Sequence, residues 1–457
     1  MIADTNFEFY SKMSGRNLAE LGEEVSRLTR EITQQLQDRG QAIPSIHDIS
    51  SAGPETVIDG ESALKLAEAA RELEALALGP HQTLGLMGLS VHDASSLGVI
   101  AEFDIASLVP IDGSATFAEL SEATGLDEDR LTRILRYAMT NLIFREKPPG
   151  QVRHTALSAH LSRSPPTVAF QRTLATVFNP ANACLPAALR ACPATASLTR
   201  TAHNAARATP EPFYAWLDAA AAGPGAGPDL RAVFDRGMEG ISRGGQRLQD
   251  TDLRAFPWVA VLPPDAAVVD VGGSRGHFAR DLVEMNPSFR VFVQDLPRVV
   301  EGLAEEFAAG GGDAGGSERG GHVTYQAHDF FDAQPVAGAD VYFLRHVMHN
   351  HPDAECVAIL RALLPALREG GRVLVSEYVV PPYEDLAGGL GTKAMRQMDL
   401  MTMALFNAKE RTRDEYAALF GRASEKLVLE GTHQVPDDPR SCIFEAIYKG
   451  EARALIQ

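Results

Sequence analysis

The sequence predicts an α/β protein: a Rossmann-like, mostly parallel sheet over roughly the C-terminal half, preceded by a helical N-terminal region. Three observations carry this. From about residue 265, short β-forming runs alternate with helix-length segments, the grammar of βαβ units. The first of those runs passes straight into a glycine-rich turn. Upstream, apolar residues recur at steps of three and four, the helical period. At 457 residues the chain exceeds the size at which one core stops growing, so two folded parts are expected.

Leu18, Leu21, Val25, Leu28, Ile32 and Leu36 place one apolar stripe on a helix over 17–37. QAIPSIHDISSAGPETVIDGE follows with turn residues and no period, and reads as a linker. A second helix is expected over 62–78, stopped by Gly79-Pro80. Within 114–162 the chain reads as a helix, a turn at Thr124-Gly125 and a second helix bearing Leu131, Ile134, Leu135 and Ala138. A small β-wing from Phe144 to Leu161 completes a winged-helix pattern. Such a module either reads DNA or serves a structural purpose. A net charge of −18, from 42 Lys+Arg against 60 Asp+Glu, removes the electrostatic footprint of a DNA reader and favours the structural role. The same charge argues against holding an anionic membrane. The expected boundaries are a helical extension at 1–80, a winged-helix-like domain at 81–205 and the sheet domain at 206–457.

The strand runs are AVVDV (267–271), RVFVQ (290–294), HVTYQ (322–326), DVYFL (340–344) and RVLVS (372–376), with KLVLE (426–430) and CIFEAI (442–447) as further strands. GGGDAGGSERGG (310–321) interrupts them as a flexible surface insertion. Cys184, Cys192, Cys356 and Cys442 show no CxxC spacing, so they read as reduced thiols of a cytoplasmic protein. The N-terminus lacks the basic-then-apolar pattern of a signal peptide. No apolar run is read as approaching the ~18 residues that span a membrane.

Ligands of parallel sheets bind beyond the carboxyl ends of the strands. There the chain reads VVDVGGSRGHFARDL, and Gly272, Gly273 and Gly276 let the backbone turn tightly against a ligand. Ser274 and His277 occupy the second and third glycine positions of a GxGxxG fingerprint, which weakens a dinucleotide reading. The pattern Asp-x-Gly-x-x-x-Gly, starting at Asp270, instead suits a nucleoside without a phosphate chain. Asp295 ends the second strand about 20 residues later, placed to accept bonds from ribose hydroxyls.

These segments resemble the plant- and fungal-type O-methyltransferases that use S-adenosyl-L-methionine (SAM), along most of residues 85–450. DVGGSRGHFA is similar to the family's first motif and VQDLP, with Asp295 and Leu296, to its second-strand acid segment. HDFF (328–331) resembles the segment lining the adenine pocket, with Asp329 and Phe330 in the contact positions. PEPFYAWL, ending at Leu217, resembles the helix before the catalytic domain. The resemblance implies SAM as cofactor, a small-molecule substrate, and an N-terminal winged-helix domain used for homodimerisation.

Methyl transfer from a sulfonium requires alignment of nucleophile, methyl and sulfur, and removal of the nucleophile's proton. A phenol with a pKa near ~10 is mostly protonated at neutral pH, so a nearby histidine base helps. After the fourth strand the chain reads FLRHVMHNHPDAECVAIL, placing His346, His349 and His351 at a strand's carboxyl end. Histidines there also serve as caps of the strand-to-helix turn. A metal reading of His346 and His349 lacks Cys or carboxylate ligands at supportive spacing, so no metal is expected. The resemblance puts the general base at His349, with Glu377 in VSEYVVPP and Glu410 in FNAKERTRDEY (406–416) as flanking carboxylates. Such neighbours stabilise an imidazolium and hold its tautomer.

Arg345 falls where the family often has a basic residue near the methionine carboxylate. Asn350 stands where the family usually has Asp, and His351 where it usually has Trp. MRQMDLMTMALFN (395–407) places Met398, Met401 and Met403 around Asp399 on a helix that lines the acceptor pocket in the family. Met238 in VFDRGMEGISR is a further pocket residue by the same resemblance, although a methionine stripe is equally a plain core. The expected activity is SAM-dependent O-methyl transfer to a phenolic or enolic hydroxyl of a secondary metabolite. Two other readings stay open. Asn350, His351 and the N-terminal extension suit a methyltransferase-like enzyme that dehydrates or cyclises its substrate without consuming SAM. The winged-helix segment suits a SAM-sensing DNA-binding regulator.

Overall fold

The computed structural model describes residues 16–49, 60–220, 229–244, 253–303, 322–380, 389–435 and 441–450. Helix α1 (Leu18–Asp38) starts at a capping box, in which Asn17 accepts from the Ala19 and Glu20 amides and Glu20 reaches back to the Asn17 N–H. It buries Leu21, Leu28, Ile32 and Leu36, as the stripe predicts, while Leu18 stays exposed.

In α2 (Gly60–Leu89) the expected stop is a kink. Gly79, at φ 74° and ψ 165°, leaves helical geometry, and Pro80 restarts the helix in a first turn, where its missing N–H costs nothing. The expected stop at Gly79-Pro80 is therefore present, and two helices meet across it. Ser62–Glu102 contains an 18-residue window of mean hydropathy 1.3 with at most two charged side chains, so by length and composition it reaches membrane-spanning dimensions. That corrects the sequence reading of the run, and length and composition carry it no further.

Beyond this, α3 (Phe117–Thr124) ends at Gly125 in the left-handed region, and α4 (Glu128–Thr140) buries Leu131, Leu135 and Ala138. An antiparallel three-stranded sheet of order β1-β3-β2 joins them, from Ala115–Thr116, Arg145–Glu146 and Gln151–Arg153. The described residues form two compact units. One draws on Met1–Thr176, Val233–Gly240 and Ala387–Lys393, the other on Val177–Ala232, Ile241–Leu386 and Ala394–Gln457.

The second unit is built on a seven-stranded sheet. Its strands are β4 (Ala267–Val271), β5 (Arg290–Asp295), β6 (His322–Ala327), β7 (Val341–Arg345), β8 (Arg372–Tyr378), β9 (Leu427–Gln434) and β10 (Ser441–Tyr448). All seven expected runs fall on these strands. The order is β6-β5-β4-β7-β8-β10-β9, parallel from β6 to β8 and antiparallel where β10 meets β8 and β9. β4 is buried along its whole length, the mark of a strand covered on both faces. On one face Phe278, Ala279 and Leu282 of α5 (His277–Met285) pack with Trp258 and Phe343. On the other, Ile359 and Leu363 of α6 (Asp353–Leu363) pack with Leu419 and Phe420 of α8 (Arg413–Ala423). Strand order reverses between β4 and β7, which opens a crevice at their carboxyl ends. The expected insertion at 310–321 lies outside the described residues.

Candidate active site

The turn after β4 lies at that crevice. Gly272 has φ 73°, and a β-carbon there would stand 2.9 Å from Val347 Cγ2. Gly276 has φ 69°, and its β-carbon would meet Tyr325 at 3.0 Å. Both positions therefore need glycine for conformation and for space. The Gly272 and Gly273 amides donate to the Gln294 carbonyl, at 2.8 and 3.0 Å. The turn thus offers a ligand closeness rather than free donors. Asp295 accepts from the Ser274 amide (2.9 Å) and the Leu296 amide (2.8 Å). A carboxylate has about four lone-pair sites, so it retains capacity for ribose hydroxyls. Asp270 is buried with Oδ2 unpartnered, and burial, opposed by Arg345, pushes its carboxyl up to about 7. An orphaned acid and a space cleared of β-carbons fit a nucleoside that carries a cation. Gly272→Ala should destabilise the protein by about 1–2 kcal/mol, the cost of a left-handed alanine, before its clash with Val347 is counted. Thermal unfolding checks this.

Across the crevice, β7 ends at Arg345 and a short turn, Met348–Asn350, carries the expected base. His349 Nδ1 lies 2.9 Å from Glu410 Oε1. A carboxylate only accepts, so Nδ1 bears the hydrogen and Nε2 presents the lone pair in the neutral ring. Glu377, fully buried at the end of β8, accepts the Met348 amide (2.7 Å) and, more weakly, the His349 amide (3.3 Å) through Oε1. One glutamate thus orients the ring and the other fixes the turn beneath it. Burial alone would push the imidazole down, but Glu377 and Glu410 outweigh it and hold His349 up at about 9. Burial would likewise raise Glu377, yet the facing imidazoles keep it below the usual carboxylate range.

The structure brings His349, Glu377 and Glu410 together, as the motifs imply. Asp399, expected in the acceptor pocket, accepts the Glu410 amide at 3.0 Å and so supports the base's partner. Met398, Met401 and Met403 are half-buried on the helix α7 (Leu390–Phe406), and Met238 is half-buried in the first unit. Phe330 lies beside Gly272, while Asp329 is exposed and accepts the Phe331 amide (3.0 Å). His351 packs edge-on against both Phe330 and Phe331, so an aromatic ring still stands where the family has Trp. Asn350 donates to Tyr214 Oη at 3.4 Å, and Tyr214 stacks on Phe406. Although local spacing offers His346 and His349 no carboxylate, the fold brings that of Glu377 within reach of both.

Arg411 was missed altogether. Its guanidinium is fully buried and donates to the Met348 carbonyl (2.9 Å), the His351 carbonyl (2.7 Å) and Asp353 (2.9 and 3.0 Å). It clamps both ends of the turn that carries His349. The sequence signal was only its place beside Glu410 in FNAKERTRDEY.

A nucleoside-shaped turn facing an acid-flanked imidazole, on a sheet of this order, defines a Rossmann-like group-transfer enzyme. Residues 225–424 match the O-methyltransferase domain model. The chain is 32% identical to chlorophenol O-methyltransferase of Trichoderma longibrachiatum over 437 residues, 94% of this chain and 89% of that protein. It is also 32% identical to O-methyltransferase aurJ of Gibberella zeae, over 93% of this chain and 96% of the relative. Among solved structures, OxaC superposes with a TM-score of 0.75 at 22% identity, covering 94% of this chain and 99% of that one. The mitomycin 7-O-methyltransferase MmcR gives 0.65 at 26% identity, covering 83% and 99%. The chain belongs to the O-methyltransferase family, and its methyl donor is SAM.

Proposed function

We propose that the protein methylates a phenolic or enolic hydroxyl of a small molecule, a secondary metabolite, with His349 as general base. The observation that carries this is His349 held between Glu377 and Glu410 at the crevice of the sheet. SAM, when bound, supplies an electrophilic methyl group on a sulfonium. The chain's own residues do the rest. Gly272 and Gly276 clear the space for the nucleoside, and Asp295 accepts from its ribose. Nε2 of His349 takes the acceptor's proton, and Glu377 and Glu410 stabilise the imidazolium that forms. The Trichoderma relative, a chlorophenol O-methyltransferase by name, supports a phenolic acceptor. Labelled SAM incubated with a panel of phenols tests the reading. Labelled product heavier by one CH₂ unit is expected, and failure of every phenol and enol to accept label would overturn it.

The pH profile is a second check. The active form of His349 is neutral, and with its pKa at about 9 that form is the minor one at neutral pH. kcat/KM should therefore rise about tenfold per pH unit and level off above about pH 9. Glu410→Gln removes one stabilising charge, so its inflection should move to lower pH. Its plateau should also drop, because the tautomer is no longer held. Rates from about pH 6 to about pH 10 measure both effects.

A non-methylating reading has two observations in its favour. A structure described as a pericyclic reaction enzyme shares the fold, with a TM-score of 0.69 at 21% identity, and Asn350 and His351 depart from the usual run. A product of unchanged mass, or lighter by one water, would select it. We also assign the α3–α4 segment and its small sheet to a winged-helix module that serves homodimerisation in a cytoplasmic protein. The acidic net charge supports that over DNA binding. Light scattering and a low-salt gel shift test these two points.

A further inference from the structure

Beside the base stands a second imidazole that proton abstraction does not require. His346, the first residue after β7, has φ 53°, a left-handed conformation that a β-carbon disfavours. Its ring stacks on Tyr378, with centroids 4.9 Å apart and planes 26° apart. Nδ1 points at Glu377 Oε2 from 3.7 Å, beyond hydrogen-bond length. Both atoms are buried without a hydrogen-bond partner among the described residues, and the Glu377 side chain is wholly shielded from solvent. Oε1 of that carboxylate is engaged by the Met348 amide, and Oε2 is the oxygen that faces His346. One donor atom from each of His346, His349 and Glu377 lies within 4.8 Å of the others.

We propose that His346, His349 and Glu377 bind a divalent first-row transition-metal ion, such as Zn²⁺ or Co²⁺, and that its binding shuts off the base. Two imidazoles and one carboxylate suit these borderline ions and leave a fourth position for water. Mg²⁺ and Ca²⁺ favour all-oxygen sites and do not match the set. The Glu410 contact to Nδ1 resembles the carboxylate that stands behind a metal-bound histidine, fixing ring and tautomer. With metal–donor bonds of about 2.1 Å, tetrahedral donors stand roughly 3.4 Å apart, so small ring rotations must close the set. His346, partly open to solvent, has room to turn. The lone pair that His349 gives the metal is the one that would accept the substrate's proton, so the two events exclude each other. That inhibitory half rests on the general-base reading; the site itself does not.

The test is Co²⁺ titration of chelator-stripped, full-length protein, followed by visible absorption and by calorimetry. One ion per chain is expected, with the bands of four- or five-coordinate cobalt, and Zn²⁺ should bleach them. His346→Asn, which a left-handed position tolerates, should weaken Co²⁺ at least about tenfold. Its circular dichroism and SAM affinity should stay unchanged. Zn²⁺ that inhibits methyl transfer by the wild type should spare this variant. Absence of cobalt bands, or equal Co²⁺ affinity in His346→Asn, would overturn the site. Bands with normal turnover in saturating Zn²⁺ would overturn the inhibitory half. Bands in a protein that methylates no acceptor would uphold the site and count against the general-base reading.

Discussion

His349→Ala should slow methyl transfer by about 10²–10⁴-fold, the usual contribution of a positioned base, without loss of SAM affinity. The rate falls because the proposed reaction delivers the acceptor's proton to Nε2 of His349, the ring whose tautomer Glu410 fixes. SAM affinity persists because the glycine turn and Asp295 lie on β4 and β5, while the histidine follows β7. Truncation also strips two buried carboxylates, Glu377 and Glu410, of their shared countercharge. His349→Asn, which can keep a hydrogen bond to Glu410, should be equally inactive but better folded. Single-turnover rates with labelled SAM, beside calorimetry of SAM binding, separate the two effects. Unchanged turnover in both variants would remove His349 from the role.

Arg411→Met should destabilise the protein by about 3 kcal/mol and depress turnover as well. The ion pair is the smaller part, because Asp353 is 38% exposed and water can take over its solvation. The larger part is two carbonyls, Met348 O and His351 O, left without the donor that Arg411 gives them. Both keep a Cys356 Sγ donor, and Met348 O also the His351 amide, so what is lost at each is a bond from a charged donor, worth about 1.5–3 kcal/mol. Thermal unfolding should shift down by roughly 2–4 °C per kcal/mol for a unit of this size. Because both carbonyls flank His349, kcat should fall more than SAM affinity. Arg411→Lys should fail to restore stability, since an ammonium cannot fork across two carbonyls and a carboxylate.

What the sequence disclosed and what it withheld divide along physical lines. The central strands β4, β7 and β8 were legible because each is a dense β-branched or aromatic run covered on both faces, so hydrophobicity alone marks it. The turn after Val271 was legible because Gly272 and Gly276 are demanded by backbone geometry. His349, Glu377 and Glu410 were legible only through motif resemblance, since no periodicity joins residues drawn from β7, β8 and the segment before α8. Arg411 and the Glu377–His346 approach were hidden for the same reason: both are contacts across strands or between loops. The break at Gly79-Pro80 was legible too, because a glycine free to take positive φ followed by a proline is a local stop signal, and the helix leaves helical geometry there.

β8 lies inside the sheet only because β10 pairs with its outer side, with Cys442 opposite Glu377 and Ser441 opposite Tyr378. A chain cleaved before Leu427 would keep every motif named above and still lose that cover. An interior ribbon would then become an open edge of apolar residues, with unpaired amides and carbonyls on offer to any neighbouring molecule. Such a fragment should precipitate before its catalysis could be assayed. The last strands therefore act as the seal on the molecule's solubility, although they carry none of its chemistry.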